Sequence, residues 1–184
     1  MKDDKIKIFA ISGSLRPNSS VSAVLRVVAG LVPDNADFKI FTGLEAIPAF
    51  NNSSELPETM NEFINSIAAS DAVFFCIPEY ALGVPGALKN ALDWTVATTA
   101  FSFKPVALIT AASGGEKAHA AFSLTLTALG SKISEDTKLL IPFIRTKLNE
   151  KGEVKDITTL NEIKKVIGAL MQNVESGKLT NSQT

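Results

Sequence analysis

Nine consecutive residues, Ser12-Gly13-Ser14-Leu15-Arg16-Pro17-Asn18-Ser19-Ser20, gather four hydroxyls, one carboxamide and one guanidinium. A phosphate dianion needs several donors at once, and a helix start adds free amides and a positive dipole end to those side chains. Ser12, Ser14, Arg16, Asn18, Ser19 and Ser20 are therefore candidate anion-binding residues, with an ordinary Ser/Asn helix cap as the plainer alternative. The segment has no Lys and no second Gly, so it does not fit the nucleotide-hydrolysing pattern G-x-x-x-x-G-K-[ST]. It does not fit G-x-G-x-x-G either. A phosphate monoester held by hydroxyls, amides and one arginine is what remains.

A second segment, Pro78-Glu79-Tyr80-Ala81-Leu82-Gly83-Val84-Pro85-Gly86, runs into Ala87-Leu88-Lys89-Asn90-Ala91-Leu92-Asp93-Trp94. Two prolines and two glycines fix a tight path and are expected to leave backbone N–H groups facing outward. Such a path suits the polar edge of a flat heterocycle, with Tyr80 or Trp94 available to stack on it. Core packing is the competing reading for Trp94. Lys89 and Asp93, four apart, read as a solvated ion pair. The third segment, Ala112-Ser113-Gly114-Gly115-Glu116-Lys117, is a glycine-rich turn that lets backbone approach a ligand closely.

Other chemistries lack their parts. The single cysteine, Cys76, excludes an intramolecular disulfide, and the single histidine, His119, argues against most zinc geometries. A phosphatase-type nucleophilic Cys would want an arginine six positions later, where this chain has Leu82. A G-x-S-x-G nucleophile elbow is absent too. Cys76 reads as a small buried hydrophobe and His119 as a surface or packing residue.

The elements that must position these segments alternate regularly along one domain, 1–184. Strands are expected over Ile6–Ile11, Asp37–Phe41, Ala72–Ile77, Pro105–Ala111 and, more weakly, Lys138–Phe143, where Pro142 argues for a sheet edge. Helices are expected over Ser20–Leu31, Glu58–Ala69, Pro85–Thr95, Lys117–Leu129 and Asp156–Val174, with Glu175–Thr184 a polar, frayed tail. This alternation means a doubly wound α/β sheet, whose ligands sit beyond the carboxyl ends of the strands at the switch point. The three segments fall after the first, third and fourth strands.

Composition limits the partners. The 184 residues are 46% apolar and 20% charged, with a formal net charge of −1, which gives no electrostatic footprint for nucleic acid or an anionic membrane. The start, Met1-Lys2-Asp3-Asp4-Lys5, lacks an apolar signal core, and no apolar run reaches the ~20 residues of a membrane span. A cytoplasmic protein without nucleic-acid or membrane partners is expected.

Gly13-Ser14-Leu15-Arg16 with Ser19, Pro78-Glu79-Tyr80, and Pro85 through Trp94 resemble the NADPH-dependent FMN reductase family, over roughly Lys5–Val174. The resemblance implies a flavodoxin-like fold, a five-stranded parallel sheet ordered 2-1-3-4-5 with helices on both faces. It further implies FMN as cofactor and NADPH or NADH as co-substrate, with a flavin, quinone or other small molecule as acceptor. Ser14, Arg16, Ser19 and Ser20 would hold the FMN phosphate, and Pro78, Glu79 and Tyr80 the ring and phosphate side. Ser113, Gly114 and Gly115 would stand near the other end of the ring. A homodimer or homotetramer through the helix starting at Pro85 is implied as well. Family loops often carry Asn where this chain has Val21 and Ala81. Since the cofactor does the chemistry, no catalytic side chain is required, and no metal is called for. A non-enzymatic FMN-binding electron carrier or redox sensor is the alternative.

Overall fold

Ala72–Ile77 (β3) and Val106–Ala111 (β4) are buried along their whole length, and runs apolar except for Thr110 suit a sheet covered on both faces. The computed structural model describes residues 5–53 and 55–181. Ile6–Ser12 (β1), Ala36–Phe41 (β2) and Lys138–Ile141 (β5) complete an all-parallel sheet ordered β2-β1-β3-β4-β5. The order expected from the family likeness is the one observed. Pairing runs Ile8↔Ala72 to Ser12↔Cys76 between β1 and β3, and Val73↔Val106 to Ile77↔Thr110 between β3 and β4.

Helices cover the two faces. Ser20–Leu31 (α1) and Ile157–Asn181 (α6) bury Val24, Leu25, Ile163 and Leu170 against Ile8, Phe74 and Ile109. Glu58–Ala69 (α2), Gly86–Asp93 (α3) and Glu116–Ala128 (α4) bury Phe63, Leu88 and Phe122 against Phe9, Phe75 and Leu108. Alternate residues of each central strand thus feed separate cores, as the pleat requires. A helix of four residues, Ile144–Lys147 (α5), was not expected from the sequence.

Two boundaries differ from expectation for visible reasons. β5 stops at Ile141 instead of Phe143, because Phe143 takes a left-handed φ of 52° that turns the chain into α5. α6 continues through the expected tail to Asn181, and Lys178 in that extension pairs with Asp71 at 3.0 Å. Residues 182–184 lie outside the described residues. β5 is an edge strand, as Pro142 suggested.

Candidate functional site

β1 and β3 are neighbours inside the sheet while the chain leaves them in opposite directions, so their carboxyl ends open a crevice. Gly13 makes the crevice tight. Its N–H donates to the Cys76 carbonyl at 2.8 Å, and a Cβ there would stand 3.0 Å from the Ile77 side chain and 3.1 Å from its Cα. Any side chain at residue 13 would push the first two loops apart.

Past Gly13 the first loop folds on its own hydroxyls. Ser12 Oγ donates to the Ser14 carbonyl at 2.9 Å and accepts the Ser14 amide at 3.2 Å, so it shapes the turn. Ser14 Oγ accepts the Arg16 amide at 3.3 Å and lies 3.3 Å from the Tyr80 hydroxyl, tying the first loop to the second. Ser19 is the N-cap of α1, its Oγ accepting the Ser22 amide at 3.0 Å. The amides of Ser20 and Val21, in the same first turn, find no acceptor among the described residues. The N-terminus of α1 therefore keeps donors in reserve.

The N-terminus of α4 is partly satisfied from within the fold. Glu79 Oε1 accepts the Gly115 amide at 3.2 Å and Oε2 accepts the Ala118 amide at 2.9 Å. A carboxylate already sits where an anion would bind that helix, so the third loop offers its turn and not its dipole. Gly115 is needed for that turn: its φ is 110°, and a Cβ would meet Leu140 Cδ1 at 2.8 Å.

The second loop departs from expectation at two of its amides. Tyr80 and Gly83 exchange both backbone hydrogen bonds, at 3.1 and 2.9 Å, so their N–H groups do not face outward. The left-handed turn residues between them are Ala81 (φ 48°) and Leu82 (φ 60°), not glycines. Trp94 is not available for stacking. It is only 4% exposed, its Nε1 donates to the Pro48 carbonyl at 3.0 Å, and the Phe50 ring meets it edge-on. Tyr80 is the exposed aromatic at the crevice.

The loops converge on a pocket of about 130 Å³ lined by Arg16, Ser19, Ser20, Val21, Pro78, Glu79, Tyr80 and Ser113. Ser12 and Ser14 line the other side of the first loop instead, facing a larger hollow of about 370 Å³ between α1 and the end of β2 that Arg16 also lines. That hollow touches neither the second nor the third loop, so the smaller pocket is the one the fold builds from all three. Asn18 is exposed and lines neither. Gly114 and Gly115 stand behind Ser113 and do not line the pocket. Ile144 and Arg145 do line it, and sequence reasoning missed both. The one available signal was an arginine just beyond the carboxyl end of a parallel strand.

The other candidate reactive groups take structural roles. Cys76 is fully buried in β3, and burial pushes its thiol far up, out of nucleophilic range. Thr110 Oγ1 and His119 Nδ1 lie 2.8 Å apart beneath the third loop. Burial, then the charge of Lys138, lowers the pKa of His119, with Glu135 opposing. Lys89 and Asp93 form the expected exposed pair. Among the described residues, no cluster of His, Cys, Asp and Glu could hold a metal, and no helix is long and apolar enough to cross a membrane.

Residues 6–144 match the family described as NADPH-dependent FMN reductase. An NAD(P)H-dependent FMN reductase of Pseudomonas aeruginosa is 39% identical over 119 residues, 62% of this chain and 63% of the relative. A quinone reductase of Pseudomonas putida is 36% identical over 58% of this chain and 60% of its own. The match thus spans less than two thirds of either relative's length. A quinone reductase of Escherichia coli K12 is 25% identical over 96% of this chain and 99% of its own. Among solved structures, a flavoenzyme NAD(P)H:(acceptor) oxidoreductase from Paracoccus denitrificans shares the fold with a TM-score of 0.82. It is 24% identical, over 93% of this chain and 98% of that one.

Proposed function

This chain belongs to the NADPH-dependent FMN reductase family, and from that premise we propose that it binds FMN at the three-loop pocket and acts as an NAD(P)H-dependent reductase. The observation that carries the reading is that Arg16 and the first turn of α1, with its unbonded Ser20 and Val21 amides, line one pocket. This donor set fits a phosphate monoester. Arg16, Ser19 and Ser20 would hold the phosphate, with Ser12 and Ser14 shaping their loop. Pro78, Tyr80 and Ser113 would line the ring side, with Gly114 and Gly115 shaping the turn behind Ser113, and Glu79 would keep the third loop in register. Asn18 is too exposed to be placed with them.

The chemistry FMN supplies when bound is acceptance of a hydride from NAD(P)H and delivery of two electrons to a flavin, quinone or other small acceptor. The chain's own part is to fix the phosphate, orient the ring and leave one face open. It needs no acid–base pair for this.

The chain also assembles as a homodimer or homotetramer through the helix beginning at Pro85. Leu82 (72% exposed) and Val96 (67%) flank α3, and the exposure of these two apolar side chains supports this reading. Light scattering should give a multiple of 19.6 kDa; a monomer mass at about micromolar concentration removes the assembly.

The deciding experiment is a titration of the purified protein with FMN, read by quenching of flavin fluorescence, then NADH or NADPH oxidation with a quinone. Saturable quenching and acceptor-dependent oxidation are expected. Absence of FMN binding overturns the reading.

A further inference from the structure

We propose that Arg145 is the second charge partner of the phosphate and sets the preference for FMN over unphosphorylated flavin; this rests on the reductase reading above. Arg145 lines the three-loop pocket together with Arg16. Neither guanidinium has a carboxylate partner among the described residues. An anion held in that pocket would meet both charges.

The position of Arg145 is fixed by backbone, not by a flexible loop. Phe143 N donates to the Ser113 carbonyl at 3.2 Å and Ile144 N to the Ala112 carbonyl at 3.1 Å, so α5 is laced to the third loop. Ile144 is 2% exposed and anchors the turn in the core. Thr146 closes it, with both its amide and its hydroxyl bonded to the Phe143 carbonyl at 2.9 Å. The neighbouring cation, Lys147, is engaged elsewhere, donating to Thr159 Oγ1 on α6 at 3.1 Å. Of the two cations in α5, only Arg145 faces the pocket.

Charge balance gives that placement its meaning. Glu79 also lines the pocket, and its charge offsets that of Arg16. A phosphate monoester carries between about one and a half and two negative charges near neutral pH. With Arg16 alone the lining would be neutral and would take a dianion poorly. With Arg145 the lining is net positive. Riboflavin, which has the ring but no phosphate, gains nothing from the second arginine.

The test compares FMN and riboflavin titrations of the wild-type protein, Arg145→Gln and Arg145→Lys, with thermal melts to confirm folding. Arg145→Gln should weaken FMN by about tenfold or more, the span of one charge-assisted hydrogen bond. Riboflavin affinity should stay within about twofold, and Arg145→Lys should fall between for FMN. Equal weakening of both flavins would mean that α5 merely holds the pocket's shape, and the proposal fails. Unchanged FMN affinity in Arg145→Gln also defeats it while leaving the reductase reading intact. A wild-type protein that binds no FMN overturns that reading and this inference with it.

Discussion

Glu79, in the loop after β3, caps α4 by accepting the Ala118 amide at 2.9 Å, with its other oxygen 3.2 Å from the Gly115 amide. One carboxylate therefore sets the distance between the second and third loops, which frame opposite sides of the pocket. It also cancels the helix terminus that would otherwise compete with α1 for an anion.

Removing this link should cost stability. Glu79→Ala is expected to lower stability by about 1–2 kcal/mol, the range for losing a charged cap. Glu79→Gln, which keeps one acceptor, should lose less. Thermal melts of the flavin-free protein read the effect directly. A Glu79→Ala melt matching wild type would show that the cap contributes nothing.

Arg16 bears on the ligand alone. Its guanidinium makes no ion pair in the described structure, so Arg16→Ala should leave the melting temperature within a degree or so. FMN binding should weaken by about 1–3 kcal/mol, with little change for riboflavin. An unchanged FMN dissociation constant takes Arg16 out of the phosphate site.

How much of this was legible in the sequence depends on the range of the interactions involved. β3 and β4 are readable because a strand buried on both faces is apolar almost throughout, β1 because its run Ile6–Ile11 is apolar apart from Lys7, and α1 because Ser19 stands before an apolar stripe. The site loops follow from topology, since they must lie at the carboxyl ends of those strands. What was not legible depends on partners far along the chain. Glu79 gives no sign that its hydrogen bonds go to α4, and Lys178 gives none that it pairs with Asp71. Arg145 reaches the pocket only because Phe143 adopts a left-handed conformation, which its residue type disfavours. Trp94 could equally have stacked on a ligand or filled the core until Pro48 and Phe50 settled its surroundings.

The strained tip of the second loop gives a stabilising substitution. Ala81 at φ 48° and Leu82 at φ 60° both occupy the left-handed region that residues with a Cβ rarely adopt. Asn tolerates this conformation better, and family loops often carry it where this chain has Ala81. Ala81→Asn should stabilise the protein by roughly 0.5–1 kcal/mol, or about 1–4 °C in melting temperature. Ala81→Val, with a branched Cβ, should shift it the other way. Identical melts for the two variants would show that the tip relaxes without cost.

His119 predicts how stability responds to acid. Burial, followed by the nearby Lys138, disfavours its charged form in the folded protein, while Glu135 opposes them more weakly. The Thr110 hydroxyl, 2.8 Å from Nδ1, links the ring to the strand under the third loop. With the folded pKa below the unfolded value of 6.5, the unfolded chain takes up a proton first as pH falls. Stability should therefore be full above 6.5 and decline on acidification until the folded pKa is passed. Melting temperatures of the flavin-free wild type should drop between about pH 7.5 and 5.5, where carboxylates with ordinary pKa values stay ionised. His119→Gln, which cannot titrate, should show a flatter curve over that interval. Parallel curves for the two proteins would mean that His119 is as easily protonated in the fold as out of it.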